Sequence, residues 1–214
     1  MKHLITIAFG CLCFFCFSCS SAITEIHDIR SALLYDFQSG QNDRRLRLAV
    51  YARLNEAAES GGFLQIRSPA SDYVWTVEKP LFVQDAASGY TWIGSSDIVP
   101  PPEGFFPSGR YTLIYTDEAG KKTETGFDME ECKSFDGLDL GEYTEKRLGI
   151  FNESGILLGY RSEKTDMSAE ETAEKYPGSF FTRIILISED GLSAVLREPV
   201  FIEDGSVQNQ GGVR

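Results

Sequence analysis

The chain has 214 residues, with 20 Lys and Arg against 32 Asp and Glu, which gives a formal net charge of -12 at pH 7. An acidic surface of this kind repels phosphate backbones and anionic headgroups, so we expect no nucleic acid partner and no basic membrane-binding patch. The chain contains two histidines, His3 and His27. Serine and cysteine nucleophiles need a well-placed imidazole and zinc sites draw on His and Cys, so both kinds of site are disfavoured.

The N-terminus carries the first predicted element, an export signal. Lys2 precedes an apolar run over residues 4–17, and small residues follow the run. A secretory signal has this layout, with about 7 to 15 apolar residues, whereas a membrane-spanning helix needs about 20. The segment over residues 16–19, Cys-Phe-Ser-Cys, resembles the relaxed, spirochaete-type lipobox of bacterial lipoproteins.

This resemblance implies how the mature chain is processed and where it lies. The signal peptide 1–18 is removed, Cys19 carries the lipid that anchors the protein to a membrane, and the body faces the periplasm or the cell surface. Residues 19–30 then form the lipidated N-terminus and a tether. Cleavage after Ala22, which would release a soluble protein, and retention of the leader as an anchor are the alternatives. With Cys19 lipidated, Cys132 has no partner for a disulfide, and the fold must depend on its hydrophobic core.

The region after the tether predicts a β-sandwich. Residues 45–55 alternate apolar and polar side chains, which indicates a strand with one face in a core and one in water. Many short strands without intervening helices indicate an antiparallel sandwich over residues 31–129. Residues 25–37 fit a strand or a helix, and we favour a strand because it would complete a sheet edge. Further strands are predicted at residues 62–67, 73–77, 90–98, 110–116 and 121–127.

Two features of this region resemble immunoglobulin-like and fibronectin-like domains. The segment over residues 108–113, Ser-Gly-Arg-Tyr-Thr-Leu, resembles a tyrosine corner, and Trp75 matches the core tryptophan of such domains. The resemblance implies an immunoglobulin-like sandwich with structural roles for Tyr111 and Trp75. Leu113 stands where antibody domains place a cysteine, so the resemblance is to members without a disulfide. An ordinary aromatic strand after a Ser-Gly turn would give the same pattern.

Residues 130–145 are predicted to be an acidic linker. Carboxylates crowd around glycines there, and few side chains could fill a core. Hard cations such as calcium take carboxylate oxygens, but the Asp-x-Asp-x-Asp-Gly rhythm of a calcium loop is missing. We therefore interpret the segment as solvated and expect no metal site.

Residues 146–203 predict a smaller, mostly β region with one helix near residues 166–176. Ser168 and Glu171 have the spacing of a capping box, and a Pro-Gly pair follows the helix. Residues 204–214 are polar and rich in glycine, and we expect a disordered tail.

The proline-rich loop over residues 99–107 is the candidate binding site. It contains a run of three prolines, including Pro101, followed by the adjacent aromatics Phe105 and Phe106. Exposed rings there would form an apolar tip for a partner or a membrane. The alternative is that one or both rings plug the end of the sandwich.

These features favour a non-catalytic, lipid-anchored lipoprotein of a cell envelope. We expect a binding or structural module that presents loops to another envelope or extracellular protein, without a cofactor. The alternatives are a small-ligand carrier with a pocket between the two regions, and a periplasmic hydrolase that works without histidine.

Overall fold

The computed structural model describes residues 24–38, 44–55, 62–70, 72–84, 88–162 and 168–202. The predicted signal peptide 1–18, Cys19 and the tail 204–214 lie outside the described residues. The strands are β1 (Ile26–Phe37), β2 (Arg44–Leu54), β3 (Phe63–Arg67), β4 (Val74–Val77), β5 (Leu81–Gln84), β6 (Thr91–Ile98), β7 (Gly109–Thr116), β8 (Lys122–Met129), β9 (Glu145–Phe151), β10 (Leu157–Ser162), β11 (Phe181–Ile187), β12 (Ser193–Leu196) and β13 (Val200–Phe201). The helix is α1 (Ala169–Lys175), and 3-10 turns occur at Phe135–Gly137 and Leu140–Glu142.

The strands form two sheets that share one core. Sheet A has the order β10-β9-β11-β12-β1-β2-β6-β5, with β13 beside β11, and sheet B has the order β4-β3-β7-β8. If β1 to β8 are lettered A, B, C, C′, D, E, F and G, the sandwich has the sheets A-B-E-D and C′-C-F-G of immunoglobulin domains. The predicted fold class, an immunoglobulin-like antiparallel β-sandwich followed by a mostly β region with one short helix, is confirmed.

Side-chain alternation explains how sheet A faces the core. Leu46, Leu48, Val50 and Ala52 of β2 are all buried, and they pack in one cluster with residues of sheet B. The residues between them project from the opposite face, here called the outer face of sheet A. β1 pairs with β2 along almost its whole length, starting at Ile26. The first strand therefore begins within the predicted tether 19–30, and residues 26–37 form a strand rather than a helix.

The C-terminal region extends the sandwich rather than standing beside it. β12 pairs in parallel with β1. This pairing adds the four strands β9, β10, β11 and β12 to sheet A. The predicted acidic linker 130–145 also contributes to the core, since Tyr143 is buried and Phe135 and Leu138 pack against the core cluster.

A buried ion cluster ties the two regions together. Asp36 of β1 is 1% exposed and Arg183 of β11 is 5% exposed. The Arg183 guanidinium forms an ion pair with Asp36 and donates to the Phe37 carbonyl at 2.9 Å. Arg47 of β2 donates to the other Asp36 oxygen at 2.5 Å. A charge pair away from water needs this degree of pairing and hydrogen bonding.

Helix α1 begins with the predicted capping box. The Ser168 hydroxyl accepts from the Glu171 amide at 3.1 Å, and the Glu171 carboxylate accepts from the Ser168 amide at 2.8 Å. At the other end, the Tyr176 ring lies against Gly159 of β10, where an added Cβ would be 2.4 Å from the ring. No helix in the described part of the chain is long and apolar enough to span a membrane.

Candidate functional site

The loop between β6 and β7 lies at one end of the sandwich. β6 ends with Ile98 beside Leu48, near the start of β2, so the loop lies at the end where β1 finishes. The Gly104 amide donates to the Pro101 carbonyl at 2.9 Å and closes a turn. Gly104 has a φ of 85°, a left-handed conformation that favours glycine. The loop therefore leaves β6 through a hydrogen-bonded turn.

The three residues predicted to bind a partner have different environments. Phe106 is 1% exposed, and its ring centroid lies 5.7 Å from that of Trp75. Pro101 is buried as well. Phe105, by contrast, is 52% exposed. The hypothesis of a tip made by all three residues is therefore corrected: Phe106 and Pro101 close the end of the core, and Phe105 alone is presented outward.

Tyr111 and Trp75 support this loop from the core. The Tyr111 hydroxyl donates to the Pro107 carbonyl at 2.7 Å, which is the bond of a tyrosine corner. The Trp75 indole donates to the Val99 carbonyl at 2.8 Å. Trp75 is buried but lies on β4, in the C′ position, whereas the antibody tryptophan lies on strand C. Both ends of the loop are thus hydrogen-bonded to core aromatics.

A cleft of about 750 Å³ lies beside Phe105. Its lining includes the apolar side chains of Leu46, Phe106 and Phe135, together with Cys132 and the charged residues Glu131 and Lys133. Ligand sites in proteins have volumes of this order and mostly apolar walls. The cleft and the exposed ring together offer a place where an apolar side chain of a partner can pack.

Cys132 contacts the core through Tyr35. Its sulfur lies 3.8 Å from the Tyr35 hydroxyl, which also accepts from the Lys133 amide at 2.9 Å. Burial, and next the charge of the neighbouring Cys132, raise the pKa of Tyr35 above its ordinary value. The thiol is partly buried.

A second cavity, of about 470 Å³, lies between the sandwich and the C-terminal region. Leu33, Tyr35 and Tyr143 contribute apolar and aromatic surface to its walls. The Ser188 hydroxyl donates to Asp190 at 2.6 Å and, with the Leu192 amide, holds the pKa of that carboxyl below its usual range. The other charged side chains of the lining are Asp128, Glu130, Glu131, Lys133, Glu142 and Glu189.

The alternative of a small-ligand carrier included a pocket between the two regions. The contribution of residues 130–145 to its lining was not predicted, because we interpreted that segment as solvated. The available signal was the presence of Phe135, Leu138 and Tyr143 among the carboxylates, since apolar side chains at this density are not typical of a linker. His27, the one histidine in the described residues, lies on β1 and is exposed. In the same part of the chain, no group of three or more His, Cys, Asp or Glu side chains is placed to hold a metal ion.

The chain matches no protein-family model, no curated protein and no solved structure. Its candidate sites are therefore judged from the geometry and chemistry of its own residues.

Proposed function

We propose that this protein is a non-catalytic, lipid-anchored module of a bacterial cell envelope that binds another protein through the loop end that carries Phe105. The observation that carries the proposal is the Phe105 ring, 52% exposed beside an apolar cleft. Aromatic anchors that enter a pocket dominate the binding energy of many interfaces. A ring on a supported loop also loses little conformational entropy on binding.

The position of this loop fits an anchor at Cys19. Thr24, the first described residue, comes five positions after Cys19, so the tether spans at most about 18 Å. β1 starts at Ile26 and runs for 12 residues, about 40 Å, to the end where the loop lies. An anchored molecule would therefore attach at one end of β1 and present Phe105 at the other.

The test is site-specific photocrosslinking in intact cells. A photoreactive phenylalanine replaces Phe105 in one variant and Tyr160 in a control, because Tyr160 is 55% exposed at the far edge of sheet A. We expect one protein adduct of defined mass from position 105 and none of that mass from position 160. The partner identified in the adduct is then purified without the crosslink. Calorimetry measures its affinity for the unmodified protein and for each variant.

In that measurement, Phe105→Ala should weaken binding at least about tenfold, while Tyr160→Ala should leave it unchanged. Identical adducts from both positions, or an unchanged affinity for Phe105→Ala, would contradict the proposal. The melting temperature of each variant shows that the fold is retained.

The second candidate is a small-ligand carrier, which is favoured by the cavity between the two regions. Its volume of about 470 Å³ falls within the range of small-molecule sites. Six carboxylates and one lysine line it, so a cationic or neutral ligand fits better than an anion. Calorimetry with cationic and anionic small molecules tests this function. Phe105→Ala separates it from protein binding, because that variant should leave small-molecule binding unchanged.

A further inference from the structure

The outer face of sheet A carries a cationic and aromatic surface near the start of β1. Residues directly opposite each other on neighbouring strands share a face. One such row contains Arg53, Trp92 and Val83, and the next contains Arg30 and Tyr51. The complete platform, the name used below, consists of Arg30, Tyr51, Leu81, Val83, Arg53, Tyr90 and Trp92.

Both arginines of the platform lie over aromatic rings. The Arg30 guanidinium is 4.7 Å from the centroid of Trp92, and the Arg53 guanidinium is 4.4 Å from that of Tyr90. Stacking holds a guanidinium flat while its N–H groups stay directed at the edge, where they can bind an oxyanion. Gly94 permits the close packing of Tyr51, because a Cβ there would lie 2.6 Å from the Tyr51 ring.

Neither arginine has a carboxylate partner in the described residues. The ion pairs found there involve other arginines and Lys133, and Arg53 Nε is buried without a hydrogen-bond acceptor. The acidic residue of the same row is Asp28, which is opposite Arg53 and half-buried. Within the described residues the platform therefore has two arginines that form no ion pair, with the Asp28 carboxylate nearby, in a chain whose net charge is -12.

The platform also exposes apolar and aromatic side chains. Leu81 and Val83 of the edge strand β5 are 44% and 45% exposed, and Tyr90 is 51% exposed. Arginine heads, aromatic rings and short aliphatic side chains together are typical of surfaces at a membrane interface. Rings lie at the level of the headgroups there, and cationic side chains contact lipid phosphates.

The length of chain between Cys19 and the platform indicates that the anion bound by the platform is a lipid headgroup. Arg30 is eleven positions after Cys19 and lies in the first half of β1. The opposite rows of sheet A, near Phe37, lie about 25 Å farther along β1. A lipid on Cys19 would therefore hold the platform within reach of the headgroups and leave the Phe105 end farther away.

We propose that the platform docks against the anionic headgroups of the membrane to which Cys19 is attached. The guanidiniums of Arg30 and Arg53 bind lipid phosphates, while Tyr90, Leu81 and Val83 enter the interface. Docking orients the molecule, which the acyl chains alone do not do. The proposal goes beyond the binding of a protein partner and depends on the anchor.

The experiment uses the lipidated protein in vesicles of phosphatidylcholine with and without phosphatidylglycerol. Brominated lipids quench tryptophan at short range, so quenching of Trp92, which is 7% exposed beneath the Arg30 guanidinium, reports the approach of lipid to the platform. Trp75, the other tryptophan, lies in the loop end and acts as an internal control. We expect quenching of Trp92 that requires phosphatidylglycerol and falls with added salt.

The variant Arg30→Gln/Arg53→Gln should lower the ratio of docked to undocked molecules about fivefold for each arginine removed. The control variant Arg67→Gln/Arg110→Gln makes the same charge change on exposed arginines of sheet B and should have no effect. Should the double platform variant lose stability, Arg30→Lys, which keeps the charge, should retain docking.

Three results would overturn the proposal. Equal quenching in vesicles without phosphatidylglycerol would show that the contact is not electrostatic. Vesicle-bound protein with unquenched Trp92 would show that the anchor holds and the platform does not dock. Protein absent from the vesicles would contradict both the anchor and the docking.

Discussion

At the scale of single residues, the clearest structural assignment is Tyr111. Its hydroxyl donates to the Pro107 carbonyl at 2.7 Å, and the side chain is fully buried. Tyr111→Phe should therefore lower the free energy of unfolding by about 1 kcal/mol or more, since the Pro107 carbonyl loses its donor. Denaturant unfolding measures the change, with Tyr160→Phe, at an exposed site, as the control. Equal stability of Tyr111→Phe and the unmodified protein would show that the hydroxyl bond of the tyrosine corner does not stabilise the fold.

The same tyrosine predicts a dependence on alkaline pH. Burial raises the pKa of Tyr111 to about 12, above its value in an unfolded chain. A raised folded-state pKa gives stability that is complete below pH 10 and is lost as the pH rises toward 12. Tyr111→Phe should therefore lose less stability over this window than the unmodified protein. A parallel loss in both proteins would assign the alkaline transition to other groups.

The adjacent pair Phe105 and Phe106 tests how the loop divides between core and surface. Phe106 is 1% exposed against Trp75, so Phe106→Ala should cost about 3 to 5 kcal/mol of stability. Phe105→Ala should change stability by less than about 0.5 kcal/mol, because its ring is half exposed. Thermal and denaturant unfolding of both variants checks this, and similar costs for the two would contradict the assignment.

The sequence could not predict which of these two rings is buried. Side-chain direction follows from period-two alternation in a strand, but a loop with prolines has no such period. The sequence therefore allows either Phe105 or Phe106 to be the buried ring. The choice is made by Trp75 and Tyr111, whose side chains reach the loop from other strands.

At the scale of elements, most strands of the sandwich were predicted because their alternation is regular. The strand predicted at residues 45–55 is β2, and the one predicted at residues 110–116 is β7, each within one residue at either end. The parallel pairing of β12 with β1 was not predicted. Parallel partners are joined through distant chain segments, and no short turn in the sequence marks them.

The buried ion cluster gives a prediction about how these elements are coupled. Asp36→Asn removes the charge that pairs with Arg183 and leaves that arginine buried without a counter-ion. The expected loss is about 3 to 5 kcal/mol. Asp97→Asn is the matched control, because Asp97 also pairs with Arg47, at 3.4 Å, but is 79% exposed. That variant should lie within about 1 kcal/mol of the unmodified protein.

The coupling also predicts one unfolding transition for both regions. β1 carries Asp36 and pairs with β12, so a loss at this strand should weaken the sandwich and the C-terminal strands together. Hydrogen exchange of β7 and β11 amides in Asp36→Asn measures this. Faster exchange confined to β11 would show that the C-terminal region opens as a separate unit.

At the scale of the whole molecule, net charge gave the wrong impression of local charge. A value of -12 predicts repulsion from anionic surfaces everywhere. Six carboxylates line the cavity between the two regions, whereas Arg30 and Arg53 share the outer face of sheet A. Only the strand register places those arginines together, so composition could not show the platform.

The anchor is the whole-molecule prediction on which the orientation of the protein depends. Cys19→Ser should abolish metabolic labelling with a fatty acid and move the protein from the membrane fraction to the soluble fraction, or leave it unprocessed. The control is Cys132→Ser, since Cys132 is the other cysteine that would remain after cleavage at residue 18. Cys132 lies partly buried beside Tyr35, so its loss should leave labelling and fractionation unchanged.

Two acyl chains hold a protein firmly where the platform alone gives only a weak, salt-sensitive contact. Unchanged partitioning of Cys19→Ser at high salt would therefore contradict lipid anchoring and require another means of attachment.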